Sequence, residues 1–290
     1  MRIAIIGCGE IGVLCARRLL DAGHQVTGIR RNVNALPRWL ESRTADVTHT
    51  DSLGFIQDSC FDFIIYQVAA GGFTEEAYHQ AYSQGLANVI QHCDSRKTRL
   101  LFVSSTGVYH QNDGEWVDES SETRPSKFNG QIMLAAEKLV TDYGLGCCVR
   151  FSGIYGPGRT RLIERVRNGE TGEYNDGYTN RIHVEDCAGV LSHLVRFGST
   201  QSLQPVYLAS DSLPALRSDV FRFLASELGV DVIGQKADQS GVKSAKNGTA
   251  AKRIAGSKQC NNQQLLATGY KLIYPDYRAG YRQVIATLKQ

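Results

Sequence analysis

The residues with the plainest chemical purpose stand at the start of the chain. Gly7-Cys8-Gly9-Glu10-Ile11-Gly12 spaces three glycines as GxGxxG between an apolar run over 2–7 and a helical pattern over 10–22. The first glycine of such a turn permits the tight reversal, the second lets backbone approach a pyrophosphate, and the third allows helix to pack closely on strand. The helix start then offers free N–H groups and partial positive charge to phosphate oxygens. Gly7, Cys8, Gly9, Glu10, Ile11 and Gly12 are therefore read as a dinucleotide site. A site for NAD(H) usually sets a carboxylate at the end of the second strand, here 24–29, to accept from the ribose hydroxyls. This chain has Arg30-Arg31-Asn32 there instead. Two guanidinium groups can clamp a 2′-phosphate, and no carboxylate in this string opposes it, which favours NADP(H) over NAD(H). The plain alternative is a pair of solvated arginines. Asp51 can accept from the adenine amino group or cap a turn, and both readings stay open.

Groups able to act on a substrate are gathered in three later strings. These are Val103-Ser104-Ser105-Thr106-Gly107-Val108-Tyr109, Arg150-Phe151-Ser152-Gly153-Ile154-Tyr155-Gly156-Pro157-Gly158-Arg159 and Asn180-Arg181-Ile182-His183-Val184-Glu185-Asp186. A carbonyl held beside a nicotinamide needs a partner for its oxygen, and Ser105 can donate to it. Tyr109, Tyr155 and His183 are candidate acids. Both tyrosines can equally pack with satisfied hydroxyls, and His183 reads better as a structural hydrogen-bonder than as a base. Arg181 joins Ser105 as a substrate candidate, holding an anion or else pairing with Glu185 or Asp186. Glu119 reads as a loop residue near the entrance, and the helical register argues against Lys127 as a replacement for a catalytic lysine. Ala69, Ala70, Ser104, Tyr155 and Gly156, all near strand ends, complete the expected cofactor set. The eight cysteines show neither a CxxC pair nor zinc-ligand spacing, so no metal is expected.

The elements that must position these groups alternate in the first half. Strands are expected over 2–7, 24–29, 46–48, 61–66, 100–104 and 147–150, with helices over 10–22, 75–92 and 130–142 between them. That rhythm predicts an α/β fold, a Rossmann-type doubly wound parallel sheet. After Tyr155 it changes, and a smaller mixed substrate lobe is expected over 159–290 beside a dinucleotide-binding domain over 1–158. Within that lobe a helix over 184–197 is expected to pack back on the first domain. A strand is expected over 205–209, helices over 218–228 and near 281–288, and a solvated basic loop over 235–262.

The bulk composition narrows the function classes. A net charge of +3 over 290 residues gives no electrostatic case for nucleic acid or a membrane surface. No run approaches the length of a membrane span, and the first residues do not read as a secretory signal. Cysteines inside apolar runs suit a reducing cytosol. The expectation is a cytoplasmic monomer or homodimer acting on a small molecule.

In this order, the three strings after a GxGxxG closely resemble the extended short-chain dehydrogenase/reductases, the sugar-nucleotide epimerase/dehydratase group. The resemblance covers nearly the whole chain. It implies that Ser105 matches the catalytic Ser/Thr and that the stretch after Tyr155 lies beside the nicotinamide. The family's base is a Tyr with a Lys four residues later, one helical turn away. The aligned positions here are Asn129 and Met133, which can neither exchange a proton near neutral pH nor carry charge. Asn129 suits a cap for a helix beginning at Gly130, and Met133 suits core packing. The chain thus resembles the atypical branch of the superfamily, within it the bacterial NAD(P)-dependent epimerase/dehydratase group. The implied function is an oxidoreductase or epimerase/dehydratase-like enzyme on an unidentified small molecule. The alternative is a non-catalytic NADP(H)-binding regulator or redox sensor.

Overall fold

Ile3, Ala4, Ile5 and Ile6 have almost no exposed surface, as a strand covered on both faces requires. A computed structural model of the chain describes residues 1–169, 176–231 and 256–289. Those isoleucines belong to β1 (Arg2–Ile6), which is followed by α1 (Glu10–Asp21), β2 (Gln25–Arg30), β3 (Glu41–Thr44), α2 (Phe55–Ser59) and β4 (Phe63–Tyr66). Next come α3 (Glu75–Tyr78), α4 (Gly85–Gln91), β5 (Arg99–Ser105), β6 (Glu115–Val117), α5 (Phe128–Asp142) and β7 (Gly146–Phe151). Beyond these lie β8 (Gly153–Tyr155), α6 (Arg161–Arg167), β9 (Tyr178–Thr179), β10 (Arg181–His183), α7 (Val184–Thr200) and β11 (Val206–Ala209). The chain closes with β12 (Ala215–Leu216), α8 (Arg217–Leu228), β13 (Lys258–Cys260), α9 (Gln263–Ala267) and α10 (Tyr277–Thr287).

Seven parallel strands form the central sheet in the order β11-β7-β5-β4-β1-β2-β3. Ile3 pairs in register with Val26 on one side and Phe63 on the other. The chain winds outward from β1 to β3 and then crosses back to β4. The reversal therefore falls between β1 and β4, where ligands settle in such sheets. Cys15, Ala16 and Leu19 of α1 and Val190, Leu191 and Leu194 of α7 cover one face. Leu86, Val89, Met133, Ala136 and Val140 cover the other. A third cluster joins α6, α8 and α10 through Ile163, Val220, Leu224 and Val284. The sheet thus takes in β11, well past residue 158. No helix among the described residues is long and apolar enough to cross a membrane.

Several local expectations are corrected. The third strand is Glu41–Thr44, not 46–48. Its four residues are exposed at the sheet edge, so no apolar pattern announced it. Asp46 instead folds a turn, its Oδ1 accepting from Thr48 N at 3.0 Å and Thr48 Oγ1 at 2.8 Å. The helix over 75–92 is interrupted by a π-helical stretch, His79–Gln84. There the buried Tyr66 hydroxyl donates to the Ala81 carbonyl at 2.5 Å, an insertion of the kind that widens a helix turn. The basic stretch over 235–262 falls mostly outside the described residues. Its far end is not a solvated loop, since β13 pairs with β6 and Lys258 is buried.

Candidate functional site

Gly7 has φ +81°, and a Cβ there would lie 2.6 Å from Val68 N. At Gly12 a Cβ would lie 2.1 Å from Gln67 Nε2. Gly7 therefore needs glycine for its positive φ and for the close approach of backbone, whereas the space at Gly12 is taken by the side chains of Gln67, Cys8 and Ile5. Gly9 differs, because its nearest neighbour to a built Cβ is 3.8 Å away and belongs to the loop itself. It leaves the helix start open. Val13 N is the first amide of α1 to meet a backbone acceptor, Gly9 O at 2.9 Å, and no side chain caps the helix. The amides of Glu10, Ile11 and Gly12 thus lack intrahelical acceptors, as the first turn of any helix must. Gln67 Nε2, buried beside Gly12, also has no partner. These residues fit a dinucleotide pyrophosphate. Burial pushes the Cys8 thiol up to about 11, so Cys8 contributes backbone rather than thiolate.

Arg30 bends over this loop, with Nη1 3.4 Å from the Cys8 carbonyl. Arg31 is exposed. Burial alone would raise the Asp46 pKa, yet hydrogen bonds from Thr48 and the charges of Arg31 and His49 hold it below the usual range. A carboxylate therefore stands within electrostatic reach of Arg31, which the linear string did not reveal. Asp51 is exposed on a short 3-10 turn, and its carboxylate accepts no hydrogen bond among the described residues. Ala69 and Ala70 follow β4, next in sequence to Gln67 and Val68, which are the residues that meet Gly7.

Ser105 and Ser104 end β5 and face opposite ways. Ser105 is half-buried, and its Oγ accepts from Gly107 N at 3.1 Å, leaving its proton free to donate. Ser104 is buried and donates to Glu137 Oε1 at 2.5 Å, so its hydroxyl is turned away from the loop. The start of α5 leans on the Ser105 loop: a Cβ on Gly130 would lie 2.7 Å from Gly107 O. The helix begins at Phe128 rather than Gly130, so Asn129 lies within its first turn and does not cap it. Its buried Oδ1 has no partner. Met133 packs in the core, as its type suggested.

The other candidates are placed with equal definition. Tyr109 donates to Asp118 O at 2.7 Å and receives Arg150 Nη1 at 2.9 Å, a satisfied hydroxyl inside the core. His183 is fully buried, and its Nδ1 accepts from Glu185 N at 3.2 Å, capping α7. Burial holds its pKa below the usual imidazole value, so it is neutral with the proton on Nε2. Tyr155 is buried with its hydroxyl unpartnered. That hydroxyl lies so close to Gly280 that a Cβ there would be 1.9 Å away. The next residue, Gly156, has φ +151°, with the Val184 side chain 2.5 Å from where a Cβ would stand.

Arg181 does not pair with Glu185 or Asp186. Glu185 is held by Arg18 at 2.6 Å, and Asp186 accepts from the Tyr270 hydroxyl and the amides of Ile273 and Tyr274. The Arg181 guanidinium donates to Thr179 Oγ1 at 2.9 Å and lines a cavity with Tyr155. Glu119 is no entrance residue, since its Oε1 accepts from Leu208 N at 2.7 Å and ties its loop to β11.

Three features escaped sequence reasoning. Glu10 of α1 pairs with Arg159 of the turn after β8. Glu137 and Arg150 form a buried two-point ion pair, at 2.9 and 2.7 Å. Asp211 is buried near Arg181, its carboxyl pushed up to about 8 by burial.

The geometry has parallels among known proteins. Residues 3–206 match the model of the NAD dependent epimerase/dehydratase family. The chain is 36% identical to a candidate NAD-dependent epimerase/dehydratase from Methylobacillus flagellatus, covering 100% of this chain and 99% of that one with a TM-score of 0.84. UDP-glucose 4-epimerase from Thermus thermophilus, solved with NAD, shares the fold at 17% identity over 100% and 99% of the two chains, TM-score 0.76. So does dTDP-glucose 4,6-dehydratase from Bacillus anthracis in complex with NAD, at 14% identity over 100% and 96%, TM-score 0.77. Comparison with curated proteins gave no match.

Proposed function

This chain belongs to the NAD dependent epimerase/dehydratase family, and from that premise we propose that it is an NADP(H)-dependent oxidoreductase or epimerase/dehydratase-like enzyme acting on a small molecule. The observation that carries this reading is the open face of Gly9, where three helix-start amides lack acceptors and Arg30 folds over the same loop. Those amides would hold the pyrophosphate, with Arg30 and Arg31 on the 2′-phosphate. Once bound, the dinucleotide supplies two-electron oxidation or reduction of a carbon centre. Ser105 then donates its free proton as a hydrogen bond to the substrate oxygen. Asn129, next to the Ser105 loop, can orient that oxygen or a water but moves no proton itself.

Asn129 and Met133 also support a second reading, in which the protein binds the dinucleotide and acts through a partner without turnover. A thiol-based form of this reading has little to work with, since Cys8, Cys15, Cys147, Cys148, Cys187 and Cys260 are free and buried, Cys93 is partly buried and only Cys60 is exposed. Free cysteines are also what supports a reducing, cytoplasmic setting. Calorimetric titration tests the cofactor assignment. NADPH should bind more tightly than NADH, and Arg30→Ala should erase about tenfold of that difference, the value of one charge-assisted contact. Equal affinities in the parent protein would remove the 2′-phosphate reading. NADPH oxidation across a panel of carbonyl compounds separates the enzyme from the regulator.

A further inference from the structure

Beside Tyr155 lies an open cavity of about 760 Å³. Five guanidinium groups line it: Arg159 from the turn after β8, Arg161 and Arg165 a helical turn apart on α6, Arg181 on β10 and Arg217 at the start of α8. The remaining wall is apolar or aromatic, from Ile154, Leu162, Phe221, Tyr155 and Tyr281. Among the described residues, no carboxylate, carboxamide, imidazole or aliphatic hydroxyl lines it. Arg161 and Arg217 make no side-chain hydrogen bond or ion pair with any described residue. The Tyr155 hydroxyl, on a residue only 4% exposed, is unpartnered.

Two consequences follow from this wall. Arg159 is already paired with Glu10, so the positive excess is carried by the other arginines. A concave surface with such an excess concentrates counter-ions, and planar guanidinium forks match the two oxygens of a phosphate or carboxylate. Guanidinium groups only donate, however, while a sugar ring presents hydroxyls that need acceptors as well as donors. Apart from two tyrosine oxygens, the described side chains here offer no acceptors. They offer apolar surface and rings, against which an apolar or aromatic body can pack.

We propose that this cavity takes an organic acid bearing at least two negative charges on an aromatic or branched aliphatic body, and not a nucleotide sugar. That such an acid is the substrate rests on the dinucleotide reading above; that it binds does not. Arg161 and Arg217 hold the acid group, Arg181 and Tyr155 form the floor beneath it, and the partly exposed Ile154 and Leu162 receive the body.

Calorimetry on the full chain, with and without NADPH, tests this using 1-naphthyl phosphate, benzene-1,3-dicarboxylate, inorganic phosphate and UDP-glucose. One of the two aromatic acids should bind at least tenfold more tightly than either inorganic phosphate or UDP-glucose, and which one does so identifies the acid group. Arg161→Gln and Arg217→Gln, both on partly or fully exposed side chains, should each weaken that binding about tenfold, as loss of a charge-assisted contact would. The NADPH affinity of both variants should equal the parent's. If UDP-glucose binds as tightly as the better aromatic acid, or if neither acid exceeds inorganic phosphate, the proposal is wrong. It is equally wrong if both variants bind the acid like the parent. Absence of NADPH binding with acid binding intact would overturn the proposed function and leave the cavity assignment standing.

Discussion

The carboxylate of Glu10, first residue of α1, is paired with the guanidinium of Arg159 from the turn between β8 and α6. Glu10 thus brings negative charge to the amides that would meet a pyrophosphate, and Arg159 cancels it.

Arg159→Ala should leave that charge uncompensated and weaken dinucleotide binding roughly three- to tenfold. The effect is modest because both side chains are at least a third exposed and solvent screens them. Glu10→Gln in the same protein should restore the affinity. A double variant that stays weak would show that Arg159 meets the cofactor directly instead of through Glu10.

Gly280 and Tyr155 make a second coupled pair, because the phenol occupies the space a side chain at 280 would need. Gly280→Ala should cost on the order of 1–3 kcal/mol by overpacking. Tyr155→Phe removes an unpartnered buried hydroxyl, so alone it should be neutral or slightly stabilising. Combined, the two should be less than additive. Thermal unfolding of the four proteins decides this, and strict additivity would contradict the contact.

Removing one partner of the buried Glu137–Arg150 pair strands a charge away from water. Glu137→Ala should therefore lower stability by about 3–5 kcal/mol, read from the urea midpoint. Replacing both residues together, as Glu137→Leu with Arg150→Met, should recover most of that loss. If the double variant is as unstable as the single, the stranded charge is not the cause.

Asp211 gives a pH dependence of definite sign. Burial raises its carboxyl to about 8, against the pull of the Leu213 amide and the Arg181 charge and with Asp276 and Asp186 adding to the rise. The folded protein therefore retains a proton that the unfolded chain releases near pH 4. Stability should fall as pH rises from about 4 to 8, by at most ~1.4 kcal/mol per unit, and level off above. Asp211→Asn should flatten this slope. Parallel urea midpoints for parent and variant between pH 5 and 8 would refute the assignment.

How much of this was legible depended on whether the deciding contacts were local. The Gly7–Gly12 turn is specified by neighbours in sequence, so its residues could be named in advance. The strands rich in Ile, Leu and Val announced themselves because they are buried on both faces. Glu41–Thr44 did not, because an exposed edge strand needs no apolar residue. The π-helical stretch depends on Tyr66 reaching Ala81 from another element. Asn129 misled for a related reason: its type suits a cap, yet the helix starts two residues before Gly130, at Phe128. Arg161, Arg165 and Arg217 belong to no motif, although the four-residue spacing of the first two hints at a shared helix face. Only the fold brings Arg217 to them.

The place of β11 in the central sheet has a consequence for dissecting this protein. Val206–Ala209 is supplied only after the chain has built α6, β10 and α7, and it pairs residue for residue with Cys148–Phe151 of β7. A fragment ending at residue 158 would carry an unpaired row of backbone groups along a strand of Cys147, Cys148, Val149 and Phe151, the kind of bare edge that recruits other chains. Such a fragment should be collected from the insoluble fraction, so cofactor affinity has to be measured on the intact polypeptide.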